Sequence, residues 1–146
     1  MSTRHPPASL RWSEIREGDE LTPFDLPLTA SVIVAGAIAS RDFMPVHHDR
    51  AFANAQGAPD IFMNILTTNG YVARFITDWA GPEAMLEKIS IRLGAPACPD
   101  DTMHFTGAVI RTARRDDVGV VEVELRGVNR FGPHVTGTAV LTLPAD

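Results

Sequence analysis

Between residues 61 and 79 apolar side chains return every three or four positions. Ile61, Ile65, Val72, Ile76 and Trp79 fall on one line, with Asn69 as its polar step and Phe62, Leu66 and Ala73 beside it. That period belongs to a helix. About 19 residues at 1.5 Å each make a rod roughly 28 Å long. Asp60 stands where an N-cap would be, and Gly81-Pro82 supplies a stop. The stripe is broad, so the helix is expected to be mostly buried. Beyond it the period becomes two. Ile89, Ile91 and Leu93 alternate, and Phe105, Ala108 and Ile110 follow a turn at Pro99-Asp100-Asp101. Residues 118–128 alternate around Glu122 and Glu124, and residues 134–143 close the chain, with turn chemistry at 114–119 and 130–133. One long buried helix followed by four antiparallel strands predicts an α+β fold, with a curved sheet wrapped around the helix.

Ahead of the helix the pattern is less regular. Residues 1–18 read as a flexible lead-in, with Pro6-Pro7 discouraging helix at its start, and residues 19–146 as one domain. Residues 20–28 mix apolar and polar positions around two prolines, which suits an edge strand or extended segment. In residues 29–40 Val32, Val34 and Ile38 suit a strand. The alanines at 30, 35, 37 and 39 suit a short helix capped by Thr29 or Ser31, and the helix is the preferred reading. No internal repeat or low-complexity tract interrupts the chain.

Composition narrows the function classes. The 146 residues make one domain, 45% hydrophobic and 21% charged, which excludes wholesale disorder. The net charge of −5 and the lack of a basic stripe argue against a nucleic-acid or anionic-membrane surface. Cys98 is the single cysteine, so neither an internal disulfide nor a multi-cysteine metal site is possible. The first twelve residues contain no apolar core of a signal peptide, and the longest apolar run, residues 32–39, is far short of the ~20 a membrane helix needs. A cytoplasmic protein is expected.

The chemistry concentrates in residues 41–50, Arg-Asp-Phe-Met-Pro-Val-His-His-Asp-Arg. Asp42 and His47 place a carboxylate and an imidazole close together, with Pro45 stiffening the connection. Such a pair can move protons near neutral pH; taken alone, the spacing is more often that of a solvated turn with an Asp N-cap. The start of the long helix, residues 60–64, offers free N–H groups and the positive end of a dipole, which suits a carbonyl oxygen, although a helix start capped by Asp60 with nothing bound is the commoner case.

The stretch from Asp42 to His47 resembles the Asp-x-Asn-Pro-x-His signature of MaoC-like hotdog hydratases. Gly18-Asp19-Glu20-Leu21 upstream, the helix at its distance, Ile89-Ser90-Ile91-Arg92-Leu93 and Pro99-Asp100-Asp101-Thr102 agree with that family. Arg41-Asp42-Phe43, residues 46–50, Asp60-Ile61-Phe62, residues 64–67 and residues 77–82 are similar to one branch of it. That branch comprises the small subunits of heteromeric enoyl-CoA hydratases acting on steroid side-chain CoA esters. The resemblance implies a hotdog fold and hydration of a trans-2-enoyl-CoA without metal or organic cofactor. It makes Asp42 and His47 the catalytic pair, with base and acid unassigned, and the backbone N–H of Asn64 the donor to the thioester oxygen. It also implies a homodimer or a heteromer with a second hotdog subunit. Two positions depart from the family: Met44 stands for an Asn that would fix the loop, and Asn64 for a Gly at the helix start.

Other residues read as structural. His48 suits a supporting role beside the pair, and His104 and His134 suit the surface of the sheet. Cys98 reads as a loop thiol. Met63, Phe62 and Tyr71 suit core or subunit contacts on the helix. Arg41, Arg50, Arg92, Arg111, Arg114 and Arg115 could meet CoA phosphates, but solvated surface arginines are commoner and none is assigned that role. Two functions compete with hydration: a hotdog thioesterase, whose carboxylate would direct water at the thioester carbonyl, and a non-catalytic half of a heteromer.

Overall fold

The structure, a computed structural model, describes residues 8–145; the first seven residues of the expected lead-in lie outside that range. A five-residue strand, β1 (Phe24–Leu28), leads into α1 (Ala30–Ala39). A short α2 (Arg50–Ala55) precedes α3 (Ile65–Ala80), and four strands follow: β2 (Met85–Leu93), β3 (Asp101–Arg115), β4 (Val118–Asn129) and β5 (Gly132–Pro144). The strands form one antiparallel sheet in the order β1-β3-β4-β5-β2, which leaves β1 and β2 as its edges. Pro27 is tolerated because β1 pairs on one side only.

The sheet curves around α3. Thr68, Val72, Phe75, Ile76 and Ala80 form the helix's buried stripe, and Phe75 packs against Phe105 of β3 at 5.7 Å between ring centroids. Residues 8–18 are packed rather than trailing. Leu10 N donates to the Ala80 carbonyl at 2.9 Å, Ile15 is buried, and Gly18 N donates to Val109.

Two expectations about the helix need correction. It begins at Ile65, and its N-cap is Asn64, whose side-chain oxygen accepts from Thr67 N at 3.0 Å. Residues 61–64 are held out of the helix because Phe62 N and Met63 N donate to the carbonyls of Val46 and Ala97. Asp60 instead accepts from its own neighbour Ile61 N and from Arg50 Nε at 2.8 Å. Ile65 and Leu66, expected in the buried stripe or beside it, are about half exposed. Phe62 and Met63 lie on the extended approach, not on the helix. The preferred helix in residues 29–40 is present as α1, with the Thr29 hydroxyl oxygen accepting from Val32 N at 3.1 Å.

Candidate active site

The end of α1 aims Asp42. Ser40 N returns to the Gly36 carbonyl, Arg41 N to Ile38 and Asp42 N to Ala37. Together these close the helix in a Schellman-type turn, with Arg41 in the left-handed region at φ 58°. Gly36 makes this placement possible. A Cβ there would overlap the Thr67 side chain, so its absence lets α1 lie directly on the first turn of α3. Asp42 is thereby carried to the helix start. The chain then turns through a single 3-10 turn, Pro45–His47, which buries His47.

His47 is oriented from both sides of its ring. Nδ1 lies 2.6 Å from the Phe62 carbonyl oxygen, Nε2 lies 3.2 Å from Asp42 Oδ2, and the Phe62 ring packs edge-on at 5.1 Å. A carbonyl only accepts, so Nδ1 carries a proton and Nε2 is the nitrogen left for chemistry with Asp42. Asp42 is ringed by donors. Asn64 Nδ2 reaches Oδ2 at 3.0 Å and Met44 N reaches Oδ1 at 3.3 Å. The Asn64 amide above all, then the Met44 N–H, holds the Asp42 carboxyl below the usual carboxylate range, against a smaller opposing effect of desolvation. The pair opens on a cleft of about 460 Å³ lined by Phe62, Met63, Asn64, Ile65, residues 93–96 and His134. One end is polar and the walls are mainly apolar, the pattern of a site for a largely apolar ligand.

The chain and its fold match known proteins. Residues 16–129 match the family described as MaoC like domain. This chain belongs to the MaoC-like family. It is 50% identical over 111 residues to the 3-oxo-4,17-pregnadiene-20-carboxyl-CoA hydratase beta subunit of Mycobacterium tuberculosis, covering 76% of this chain and 83% of that one. The structure superposes on a chain of the ChsH1-ChsH2 complex from Mycobacterium tuberculosis with a TM-score of 0.81 at 44% identity, covering 88% of this chain and 98% of that one. R-hydratase PhaJ1 from Pseudomonas aeruginosa superposes with a TM-score of 0.84 at 18% identity, over 94% and 88% of the two chains, which establishes the shared fold. The sheet around α3 is thus the hotdog fold of MaoC-like proteins.

Within this MaoC-like cleft the residues singled out from sequence fall into two groups. Asp42, His47 and Asn64 meet. Asn64 does so through its buried side chain, while its own backbone N–H finds no protein acceptor among the described residues. His48 is exposed and off the cleft wall, and Cys98 is buried, with burial pushing its thiol up. Arg41, Arg50 and Arg92 are exposed. His104 sits on the sheet surface beside Asp25 at 2.7 Å, as expected.

His134 does not sit on the surface, which corrects the reading from alternation. Gly127 pairs with Val135 and Val128 with Pro133, so His134 is the extra residue of a bulge in β5. The bulge turns His134 inward next to Val135, and both are buried. Its ring joins the cleft lining. A larger groove of about 610 Å³ lies along Glu20, Thr106, Glu124, Arg126, Thr136 and Thr138, on strand positions that alternate with the core. It contains no carboxylate–imidazole pair, so the smaller cleft is the candidate site.

Proposed function

We propose that this chain is the catalytic subunit of an enoyl-CoA hydratase that adds water across a trans-2-enoyl-CoA to give a 3-hydroxyacyl-CoA. The observation that carries the reading is the Asp42–His47 contact at 3.2 Å, at the mouth of an apolar cleft and beside the start of α3. The family and the M. tuberculosis relative, itself a hydratase subunit, support it. With Asp42 ionised and a proton on each ring nitrogen of His47, the pair can bind one water between them. Asp42 takes a proton from the water as its oxygen bonds Cβ. The π electrons move toward Cα and the thioester, and His47 Nε2 delivers its proton to Cα. Return of the proton from Asp42 to His47 resets the pair. The thioester oxygen gains negative character during addition, and the Asn64 N–H at the positive end of α3, which has no protein acceptor among the described residues, is the donor proposed for it.

The acyl group is proposed to be bulky and sterol-like, by analogy with the relative's substrate. A bulky acyl group needs more than one chain's walls. Phe43, Met44, Ile65 and Leu66, each at least half exposed, flank the catalytic residues in sequence, and β2 offers an unpaired edge. A second hotdog subunit is the partner that fits both features.

The test is loss of enoyl-thioester absorbance on incubation with short, long and sterol-derived enoyl-CoAs, with and without a candidate second subunit. Asp42→Asn and His47→Ala are expected to lower hydration by at least ~100-fold while the fold persists. Near-normal turnover by either folded variant overturns the assignment. Release of free CoA thiol in place of hydroxyacyl-CoA would make the protein a thioesterase.

A further inference from the structure

We infer that the side chain of Asn64 is a positioning residue of the catalytic pair, holding the Asp42 carboxylate in line with His47. The inference rests on the hydratase reading and deepens it. Asn64 is 2% exposed, and every hydrogen-bonding atom of its amide is engaged. Oδ1 accepts from Thr67 N at 3.0 Å, which fixes the amide's orientation, because only an oxygen can face that N–H. The NH2 group must then point the other way. One proton goes to Ser40 Oγ at 2.8 Å and the other to Asp42 Oδ2 at 3.0 Å. The Ser40 hydroxyl proton is itself committed to the Gly36 carbonyl at 2.7 Å, so its oxygen is free to accept. The donors therefore run in one direction, from the first turn of α3 to the end of α1 and to the carboxylate.

The remaining supports of Asp42 are weaker. Met44 N belongs to the same loop, is longer at 3.3 Å, and moves with Asp42. His47 changes its proton during turnover. Asn64 is the neutral donor that comes from a different element and stays constant through the reaction. The charged or titratable group facing Asp42 is His47, and the other groups acting on it are the Met44 N–H and the Asn64 amide. The side chain of Met44 contributes no hydrogen bond to the loop, so an amide from across the cleft does the fixing.

Two variants keep the helix cap and remove the donor. Asn64→Asp retains an oxygen for Thr67 N but turns a second carboxylate on Asp42, whereas Asn64→Ser retains a cap and falls short of Asp42. Asp42 is followed by carbon-13 NMR of its carboxyl, and activity by the pH dependence of kcat/KM with the best enoyl-CoA. Asn64→Asp is expected to raise the titration of Asp42 and the acid limb of kcat/KM together by about one pH unit or more. Its kcat should drop roughly tenfold or more with KM changed far less. Asn64→Ser should move both in the same direction by a smaller amount. If Asn64→Asp does not fold, Asn64→Ser decides. An unmoved Asp42 titration in either folded variant overturns the inference, and so does a moved titration with kcat and acid limb unchanged. Wild-type protein inert toward all enoyl-CoAs would instead overturn the hydratase reading, while the titrations still decide whether Asn64 holds Asp42.

Discussion

The hydroxyl of Thr68 on α3 lies 2.9 Å from Nε2 of His134 on β5, and on the far side of the ring Nδ1 lies 2.7 Å from the Ala95 carbonyl oxygen. The carbonyl requires a proton on Nδ1, which leaves Nε2 to accept from Thr68. His134 is therefore a neutral strut between the helix start and the bulged strand, in the cleft wall but with no nitrogen free for catalysis. Burial is the main cause that pushes its pKa below the ordinary 6.5, partly offset by the Ala95 carbonyl, which favours the charged ring.

A depressed pKa in the folded state has a defined consequence for stability. Above pH 6.5 the ring is neutral folded or unfolded, and the contribution of His134 is fully present. As pH falls below 6.5 the unfolded chain takes up a proton that the folded chain refuses, and stability is lost until the folded pKa is passed. The slope is at most about 1.4 kcal/mol per pH unit. Urea unfolding at pH 7.5 and 5.5 should show a smaller loss for His134→Gln than for wild type. Equal losses would contradict the buried neutral ring.

The contact of α1 with α3 gives a second prediction. Gly36→Ala gains about 1 kcal/mol of helix propensity, but its Cβ meets the stiff, β-branched Thr67. Overpacking costs about 1–3 kcal/mol, so a net destabilisation is expected in thermal unfolding. Thr67→Ala in the same chain should restore part of it, because the two closest contacts, to the hydroxyl and the methyl, disappear along with a buried hydroxyl that has no hydrogen-bond partner, while the Cβ of residue 67 stays 3.0 Å away. Additive effects of the two substitutions would show that the helices do not meet here.

Arg41 supplies a third. Its left-handed backbone at φ 58° costs roughly 1 kcal/mol for a residue with a Cβ. Arg41→Gly removes that strain and adds freedom to the unfolded chain, with a net stabilisation of about 0.5 kcal/mol expected. A denaturation midpoint lower than wild type would mean that the arginine side chain holds the turn.

These cases show what is legible in a sequence of this kind. The period-two strands, the helix α1 and the turn that brings Asp42 and His47 together could be read because each depends on neighbours in the chain. The true start of α3 could not, since it is decided by carbonyls of Val46 and Ala97, far away in sequence. Nor could the inward turn of His134, because one bulge residue reverses the alternation on which the reading rests. Asn64 was legible through its backbone N–H at the helix start, but the contact of its amide with Asp42 was not, because the amide reaches Asp42 only once α1 and α3 are packed.

The last prediction concerns assembly. Ile38, Phe43, Met44, Ile65 and Leu66 are 50–63% exposed, Ile65 lines the cleft, and five such side chains on α1, the Asp42–His47 loop and the first turn of α3 are more than scattered surface residues account for. Leu66 also lines a groove with Ala39, Ser40, Tyr71 and Arg74, so the apolar surface continues from the cleft along α3. The unpaired edge of β2 runs the length of nine residues, and strand pairing across it would remove a liability. The protein is therefore expected to be at least a dimer, with itself when purified alone and with a second hotdog subunit when that is present. Light scattering over a concentration series reads the first claim, and a monomer at tens of micromolar would refute it. Leu66→Glu and Ile38→Glu should weaken association by roughly tenfold or more, without lowering the thermal stability of the monomer. Full activity of the single chain and no change on adding the second subunit would refute the heteromer.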